Sequence, residues 1–252
     1  MISNQQNTSL PDPVIEIRSL QKSFGENLVL NDFNLSIKKG ENVVVLGKSG
    51  CGKSVLIKCI IGLLDYDNGS IYVLGKQISD LNQHELDELR SRIGFVFQSS
   101  ALYDSMTVRE NLEFPLRRHG KHKTKKEIND LIAETLNNVG LFRAIDLMPS
   151  ELSGGMRKRI GLARALILHP EIMLYDEPTT GLDPITAREI INLMLDVRKK
   201  YNTTSIIISH DMRCARLTAD RLTVLMEGKN YVEGSYDKLK SIQDPNTHPF
   251  FE

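Results

Sequence analysis

The residues best suited to chemistry stand in two short runs. Gly47-Lys48-Ser49-Gly50-Cys51-Gly52-Lys53-Ser54 has the spacing G-x-x-x-x-G-K-[ST], between an apolar run, Val43 to Leu46, and an apolar stretch that begins at Val55. A strand, a glycine-rich turn and a helix in that order form a cradle for phosphate oxygens. The backbone N–H groups from Gly47 to Val55 would wrap them, with the positive end of the helix behind. Lys53 would reach the β- and γ-phosphates of a nucleotide, and Ser54 would ligate Mg²⁺. The second run, Ile172-Met173-Leu174-Tyr175-Asp176-Glu177, reads as a buried strand ending in two carboxylates. Strand ends are where open α/β sheets meet their ligands. Asp176 is expected to hold Mg²⁺, directly or through water, and Glu177 to orient or polarise an attacking water as a base. Alone, an acidic pair at a strand end is more often a solvated turn, and it is the phosphate loop upstream that gives this pair a chemical meaning.

These groups need a scaffold that brings distant strand ends together. Short apolar runs recur at Val14 to Ile17, Phe33-Leu35-Ile37, Val43 to Leu46, Ile71 to Leu74, Ile93 to Phe97, Ile172 to Tyr175, Ser205 to Ile208 and Leu222 to Met226. Continuous β-branched runs such as Val43-Val44-Val45 and Ile206-Ile207-Ile208 suit strands buried on both faces, so the pattern predicts an α/β fold with a mainly parallel sheet. Between about 99 and 150 these runs stop. Leu131, Ile132, Thr135, Leu136 and Val139 fall there on one helical face, which predicts an inserted helical subdomain.

Composition narrows the class further. Lys plus Arg and Asp plus Glu are 32 each in 252 residues, so no global charge pulls the chain to nucleic acid or anionic lipid. No apolar run approaches the roughly 18 residues of a membrane span. Residues 1–13 are polar and lack Lys and Arg, and read as a flexible leader rather than a targeting signal. Cys51, Cys59 and Cys214 make no CxxC pair, which fits a reducing compartment and excludes a cysteine-based zinc site.

Leu152-Ser153-Gly154-Gly155-Met156, ahead of a helix over Met156 to Leu168, brings a family into view. From Val14 to about Leu239 the chain resembles the ATPase subunits of ATP-binding cassette (ABC) transporters, whose signature L-S-G-G-Q precedes the acidic strand. The resemblance implies an α/β ATPase core over 14–240, with an N-terminal antiparallel β part, the helical subdomain and a short tail over 241–252. It assigns Phe24 as the aromatic under adenine, Gln98 as a catalytic and metal-linked glutamine, His210 as the switch histidine and Gly181-Leu182-Asp183 as the D-loop. It also implies a homodimer arranged head to tail, in which ATP held by one phosphate loop is closed over by Ser153, Gly154 and Gly155 of the other subunit.

Met156 departs from the usual signature glutamine and cannot offer an amide to the ribose. With Arg157-Lys158-Arg159, Val139-Gly140-Leu141 and Leu147-Met148-Pro149-Ser150-Glu151, it resembles the branch that moves phospholipid with MCE-domain proteins. The expected function is ATP hydrolysis that drives a separate membrane permease, at the cytoplasmic face of a bacterial inner membrane. An MCE-domain lipid-binding protein and a small regulatory subunit are further expected partners, and nucleic acid is not. The alternatives are an importer ATPase for amino acids or lipoproteins and a soluble, non-transport ABC ATPase. A P-loop kinase or GTPase would not carry the Ser153 signature, and an Asn-Lys-x-Asp motif is absent. The basic run from Arg117 to Lys126 reads as a solvated loop, with contact to anionic lipid as its rival. Pro249-Phe250-Phe251 is an apolar end expected to dock on the dimer mate or another partner.

Overall fold

The computed structural model describes residues 13–119 and 123–251. Residues 1–12 of the leader, Gly120, Lys121 and His122 of the basic run, and Glu252 of the tail lie outside the described residues. The chain opens with β1 (Ile15–Phe24), β2 (Asn27–Ile37), β3 (Asn42–Leu46), α1 (Lys53–Ile60), β4 (Asn68–Val73), β5 (Lys76–Gln77), α2 (Gln83–Ser91) and β6 (Ile93–Val96). Next come α3 (Val108–His119), α4 (Lys125–Asn138), α5 (Gly154–Leu166), β7 (Ile172–Asp176) and α6 (Pro184–Tyr201). The last elements are β8 (Thr204–Ile208), α7 (Met212–Thr218), β9 (Arg221–Met226), β10 (Lys229–Gly234) and α8 (Tyr236–Ser241).

Two sheets organise these elements. The first is antiparallel, in the order β2-β1-β4-β5. The second runs β10-β9-β3-β8-β7-β6, parallel throughout except for β10 at its edge. β3, β7 and β8 are buried at every position, as expected of strands covered on both faces. The sheet register then does the positioning. Val45 stands opposite Ile208, Asp176 opposite Ile208 and Val96 opposite Tyr175, so the C-terminal ends of β3, β8, β7 and β6 form one rim.

β10 is not among the runs that the sequence singles out. Its residues, Lys-Asn-Tyr-Val-Glu-Gly, alternate between half-buried and exposed, because only one face of this edge strand packs. The tight Glu227-Gly228 turn, with φ of 50° and 76°, joins it to β9. α1 stops at Ile60, and the chain turns through Gly62 at φ 63°. α5 begins at Gly154, two residues before the predicted start, since Ser153 already caps it.

In the helical region, α3, α4 and α5 share one apolar cluster built on Val108, Leu112, Ile132, Leu136, Ile160 and Ile167. Each fully buried aliphatic side chain there contributes roughly 1.5–3 kcal/mol. On α4, Ile132, Thr135 and Leu136 are buried and Leu131 half-buried, and Val139, just past its end, is buried too. Of the basic run, Arg117 pairs with Glu113 at 3.1 Å and Arg118 with Asp87 at 2.8 Å, while Thr124 and Glu127 form a capping box. Among the described residues, no helix is long and apolar enough to cross a membrane.

The tail packs back onto the chain. Phe250 and Phe251 pack on the chain's own core, Phe251 lying edge-on to Tyr236 at 5.5 Å between centroids. Asn246 Nδ2 donates to the Tyr231 hydroxyl at 3.2 Å. The apolar end meets Tyr236 at the start of α8, the helix just before it, so only a short loop has to close.

Candidate active site

The loop after β3 is shaped by backbone that only glycine can supply. A Cβ at Gly47 would lie 2.5 Å from Cys51 Sγ and 2.8 Å from the Leu225 carbonyl oxygen. Gly52 has φ 105°, and a Cβ there would stand 2.8 Å from Val29 Cγ1. Gly52 also caps α1, whose first turn holds no acidic residue. The first N–H groups of a helix have no intrahelical acceptor, so this end is open to an anion. Lys53 is 7% exposed, and its Nζ donates to the carbonyls of Gly47 at 2.8 Å and Lys48 at 3.0 Å. The ammonium thus sits inside the loop that it would share with phosphate.

Ser54 Oγ donates to Asp176 Oδ1 at 3.2 Å, joining the start of α1 to the end of β7. Asp176 is 8% exposed. Burial pushes its carboxyl above the usual carboxylate range and the neighbouring Glu177 adds to that, while the Ser54 hydroxyl, Lys58 and Lys53 pull it down. A desolvated carboxylate beside a hydroxyl is a hard-oxygen pair that fits Mg²⁺. Among the described residues no group of three or more His, Cys, Asp or Glu could hold a metal. A cation here would complete its shell with phosphate oxygens and water, as Mg²⁺ does at nucleotide sites.

Glu177 follows in the left-handed region at φ 51°, a conformation worth about 1–3 kcal/mol of strain that its neighbours must hold. Its N–H donates to the Ile208 carbonyl at 2.9 Å. Thr180 Oγ1 donates to Glu177 Oε2 at 3.1 Å, and His210 Nδ1 lies 2.8 Å from the same oxygen. The Glu177 side chain is 12% exposed and that of His210 64%. One ring nitrogen therefore holds a sheltered carboxylate from the solvent side.

A cleft of about 660 Å³ gathers most of the predicted site. Gly47 to Gly50, Gly52 to Val55, Phe24, Gln98, Glu177 and His210 all line it. Phe24, at the end of β1, is 49% exposed, with Lys22 Nζ 5.4 Å from its ring centroid. Cys51 is the exception within the loop. Its half-buried side chain packs against an apolar cluster that includes Val43, Val45 and Leu56, and burial pushes its thiol up.

The structure leaves Ser153, Gly154, Gly155 and Asp183 outside this cleft. Ser153 Oγ accepts from the Met156 N–H at 3.2 Å, and Ser153 and Gly154 are exposed. Gly155 abuts α6, where a Cβ would come 2.6 Å from Thr186 Cγ2. Asp183 is the N-cap of α6, its Oδ1 accepting from the N–H groups of Ile185 and Thr186, each at 3.0 Å. Met156 is half-buried, packed against the helical subdomain cluster. Val29, Phe250, Thr180 and Lys158 are site residues that sequence reasoning missed. No local pattern singles out Lys158, because Arg159 likewise has apolar residues, Leu162 and Ala163, three and four positions on.

A family model described as ABC transporter matches residues 30–180. The chain belongs to the ABC transporter family. It is an ATPase of that family, whose cassettes bind ATP and work in pairs with membrane permeases. The cassette is 41% identical over 236 residues to the probable ribonucleotide transport ATP-binding protein mkl of Mycobacterium leprae, covering 94% of this chain and 68% of mkl. It is 38% identical over 231 residues to the intermembrane phospholipid transport system ATP-binding protein MlaF of Haemophilus influenzae, covering 92% of this chain and 87% of MlaF. The methionine import ATP-binding protein MetN of Brucella abortus is 39% identical over 227 residues, 90% of this chain and 61% of MetN. Among solved structures, a dimeric ATP-binding cassette in a post-hydrolysis state with ADP and Pi is similar at a TM-score of 0.80 and 32% identity, covering 88% of this chain and 98% of that one.

Proposed function

We propose that this ABC ATPase powers a phospholipid-transporting permease at the cytoplasmic face of a bacterial inner membrane, as a homodimer that shares its ATP sites. The observation that carries the lipid reading is the MlaF match, which runs along 92% of this chain and 87% of that protein, whereas mkl and MetN extend well beyond the matched length. The Met156 signature supports the same branch. An MCE-domain lipid-binding protein and a small regulatory subunit belong to the proposal as partners. MetN, matched at 39% identity, favours a second reading as an amino-acid importer ATPase.

In this reading, residues 14–240 are the ATPase domain, residues from about 99 to 150 its helical subdomain, and 241–252 its tail. Phe24 stacks on the base, and the N–H groups from Gly47 to Val55 hold the phosphates. Lys53 turns its ammonium from the Gly47 and Lys48 carbonyls onto the outer phosphates, exchanging neutral acceptors for charged ones. Ser54, Asp176 and Gln98 would hold Mg²⁺, which would supply charge neutralisation to the phosphates. Glu177 takes a proton from the attacking water, and the His210 and Thr180 bonds, both made to Oε2, keep that carboxylate aimed. Ser153, Gly154 and Gly155 present the positive end of α5 to phosphate held by the other subunit. Asp183 shapes the junction between the two subunits.

Purifying the native complex and identifying its membrane subunits and bound lipid tests this. Copurified phospholipid with an MCE-domain protein is the expected result. A permease with a solute-binding protein and no lipid would overturn the lipid reading and favour the importer.

A further inference from the structure

We propose that Lys158 is a positioning residue for hydrolysis: its buried ammonium ties α5 to the backbone of Gln98 and of Glu177, so that closure at Ser153 is felt by the carboxylate that works on water. The inference rests on the reading of Glu177 as that carboxylate.

Lys158 lies on α5, five positions beyond Ser153, and is 8% exposed. Its Nζ donates to the Gln98 carbonyl at 2.5 Å and to the Glu177 carbonyl at 3.4 Å. A lysine is costly to desolvate unless its donors are satisfied, and burial lowers the pKa of this one while Asp176 and Glu177 push it back up. A leucine would fill the same helical stripe without that cost. What Lys158 adds is directed bonding between α5 and two strand ends, those of β6 and β7.

Both carbonyls belong to backbone that needs holding. Glu177 has φ 51°, and Ser100 and Ala101, just after Gln98, have φ 65° and 47°. Non-glycine residues persist in that region only where their surroundings over-determine them. α5 also grips the Gln98 loop at two further points. A Cβ at Gly161 would come within 3.0 Å of Ser100, and the Arg164 guanidinium donates to the Ala101 carbonyl. A shift of α5 at its Ser153 end must therefore carry the Gln98 loop with it, and Lys158 extends that linkage to Glu177. Lys158 does not line the nucleotide cleft, so it acts through these residues and not on ATP.

The test compares Lys158→Met and Lys158→Ala with Lys158→Gln, each as the full chain assembled with its membrane subunits. ATP turnover, affinity for trinitrophenyl-ATP and melting temperature are measured. The two truncations are expected to lose about tenfold or more in kcat, with analogue affinity and melting near wild type, because a donor to a strained carbonyl is missing. Lys158→Gln, which keeps an N–H donor without charge, is expected to recover most of that loss. Wild-type turnover in a folded truncation overturns the proposal. So does a fall in analogue affinity that matches the fall in turnover, or a Lys158→Gln protein no better than the truncations. Truncations that fail to fold while Lys158→Gln folds would assign Lys158 a purely structural role and equally overturn it. Glu177→Gln measured alongside separates the two readings. If it turns over normally, the carboxylate assignment fails whatever Lys158 does, and if it is inactive beside active truncations, only the bridge fails.

Discussion

The proposed function brings anions to both the rim of strand ends and the N-terminus of α5, yet the two stand in opposite states of completion. At the rim, Lys53, Ser54, Asp176, Glu177 and His210 already touch one another or their loop, across elements 122 residues apart in the case of Ser54 and Asp176. At α5, Ser153 caps its own helix, and Gly154 stands exposed, outside the cleft that the rim lines. The first is preorganised within one chain. The second has the dipole and the donors of an anion site but opens to solvent at Ser153 and Gly154, as a site completed by another subunit would. The difference teaches that a helix N-terminus becomes a site only when something else supplies the enclosure.

The sharpest way to break this contrast is chemical. Glu177→Gln should lower turnover by about 10²–10⁴-fold while nucleotide affinity survives, since an amide is nearly isosteric but cannot take a proton. Phosphate release and equilibrium titration measure the two halves, and full turnover would remove Glu177 from its role at the rim.

Mixed dimers ask whether α5 is completed in trans. With Ser153→Arg and Lys53→Ala in the same chain opposite a wild-type chain, both shared sites are damaged. With one lesion in each chain, both fall in a single site and the other remains whole. The split arrangement should therefore exceed the same-chain arrangement in ATPase rate by on the order of tenfold, given what one charged phosphate contact contributes. A same-chain double mutant that leaves its wild-type partner at full per-site activity, and so exceeds the split arrangement, would mean self-contained sites, and the contrast between rim and α5 would fall.

Lys53→Ala alone sharpens the rim side. Replacing an ammonium that would bond charged phosphates should weaken nucleotide binding by about 10–100-fold in titration. The helix α1 should persist, because the substituted residue is a good helix former. Unchanged affinity would mean that the loop amides suffice.

The smallest expected effect reports the strain stored at the rim. Burial raises the Asp176 carboxyl above its unfolded value of about 3.9, so between the two values the folded chain binds this proton more tightly than the unfolded one. Its contribution to stability is thus present below the unfolded value and is lost as pH rises through the folded one. Asp176→Asn carries no such charge. Without nucleotide and Mg²⁺ it should melt slightly above wild type at pH 8, with the gap closing as pH falls toward 4. A wild-type protein that melts higher at pH 8 would show that the carboxylate is already compensated.

The sequence by itself determined the chemistry and most of the scaffold, for a local reason. The Gly47 to Ser54 spacing, the Asp176-Glu177 pair and the all-buried runs of β3, β7 and β8 each express a constraint contained within a few neighbouring residues. Ser153 and Asp183 are legible as caps for the same reason. Only the tertiary structure decided the rest, because register, burial and close approach depend on partners far along the chain. It placed Ser54 on Asp176 and His210 on Glu177. It packed Met156 against the subdomain and Cys51 against the core, and it seated Phe250 at the nucleotide cleft. Edge strand β10, with one face in solvent, lacks the apolar run that marks a central strand. Lys158 is one basic residue among three in a row, and nothing in that run tells which one is buried. The carbonyls of Gln98 and Glu177 select it, and they lie 60 and 19 residues away.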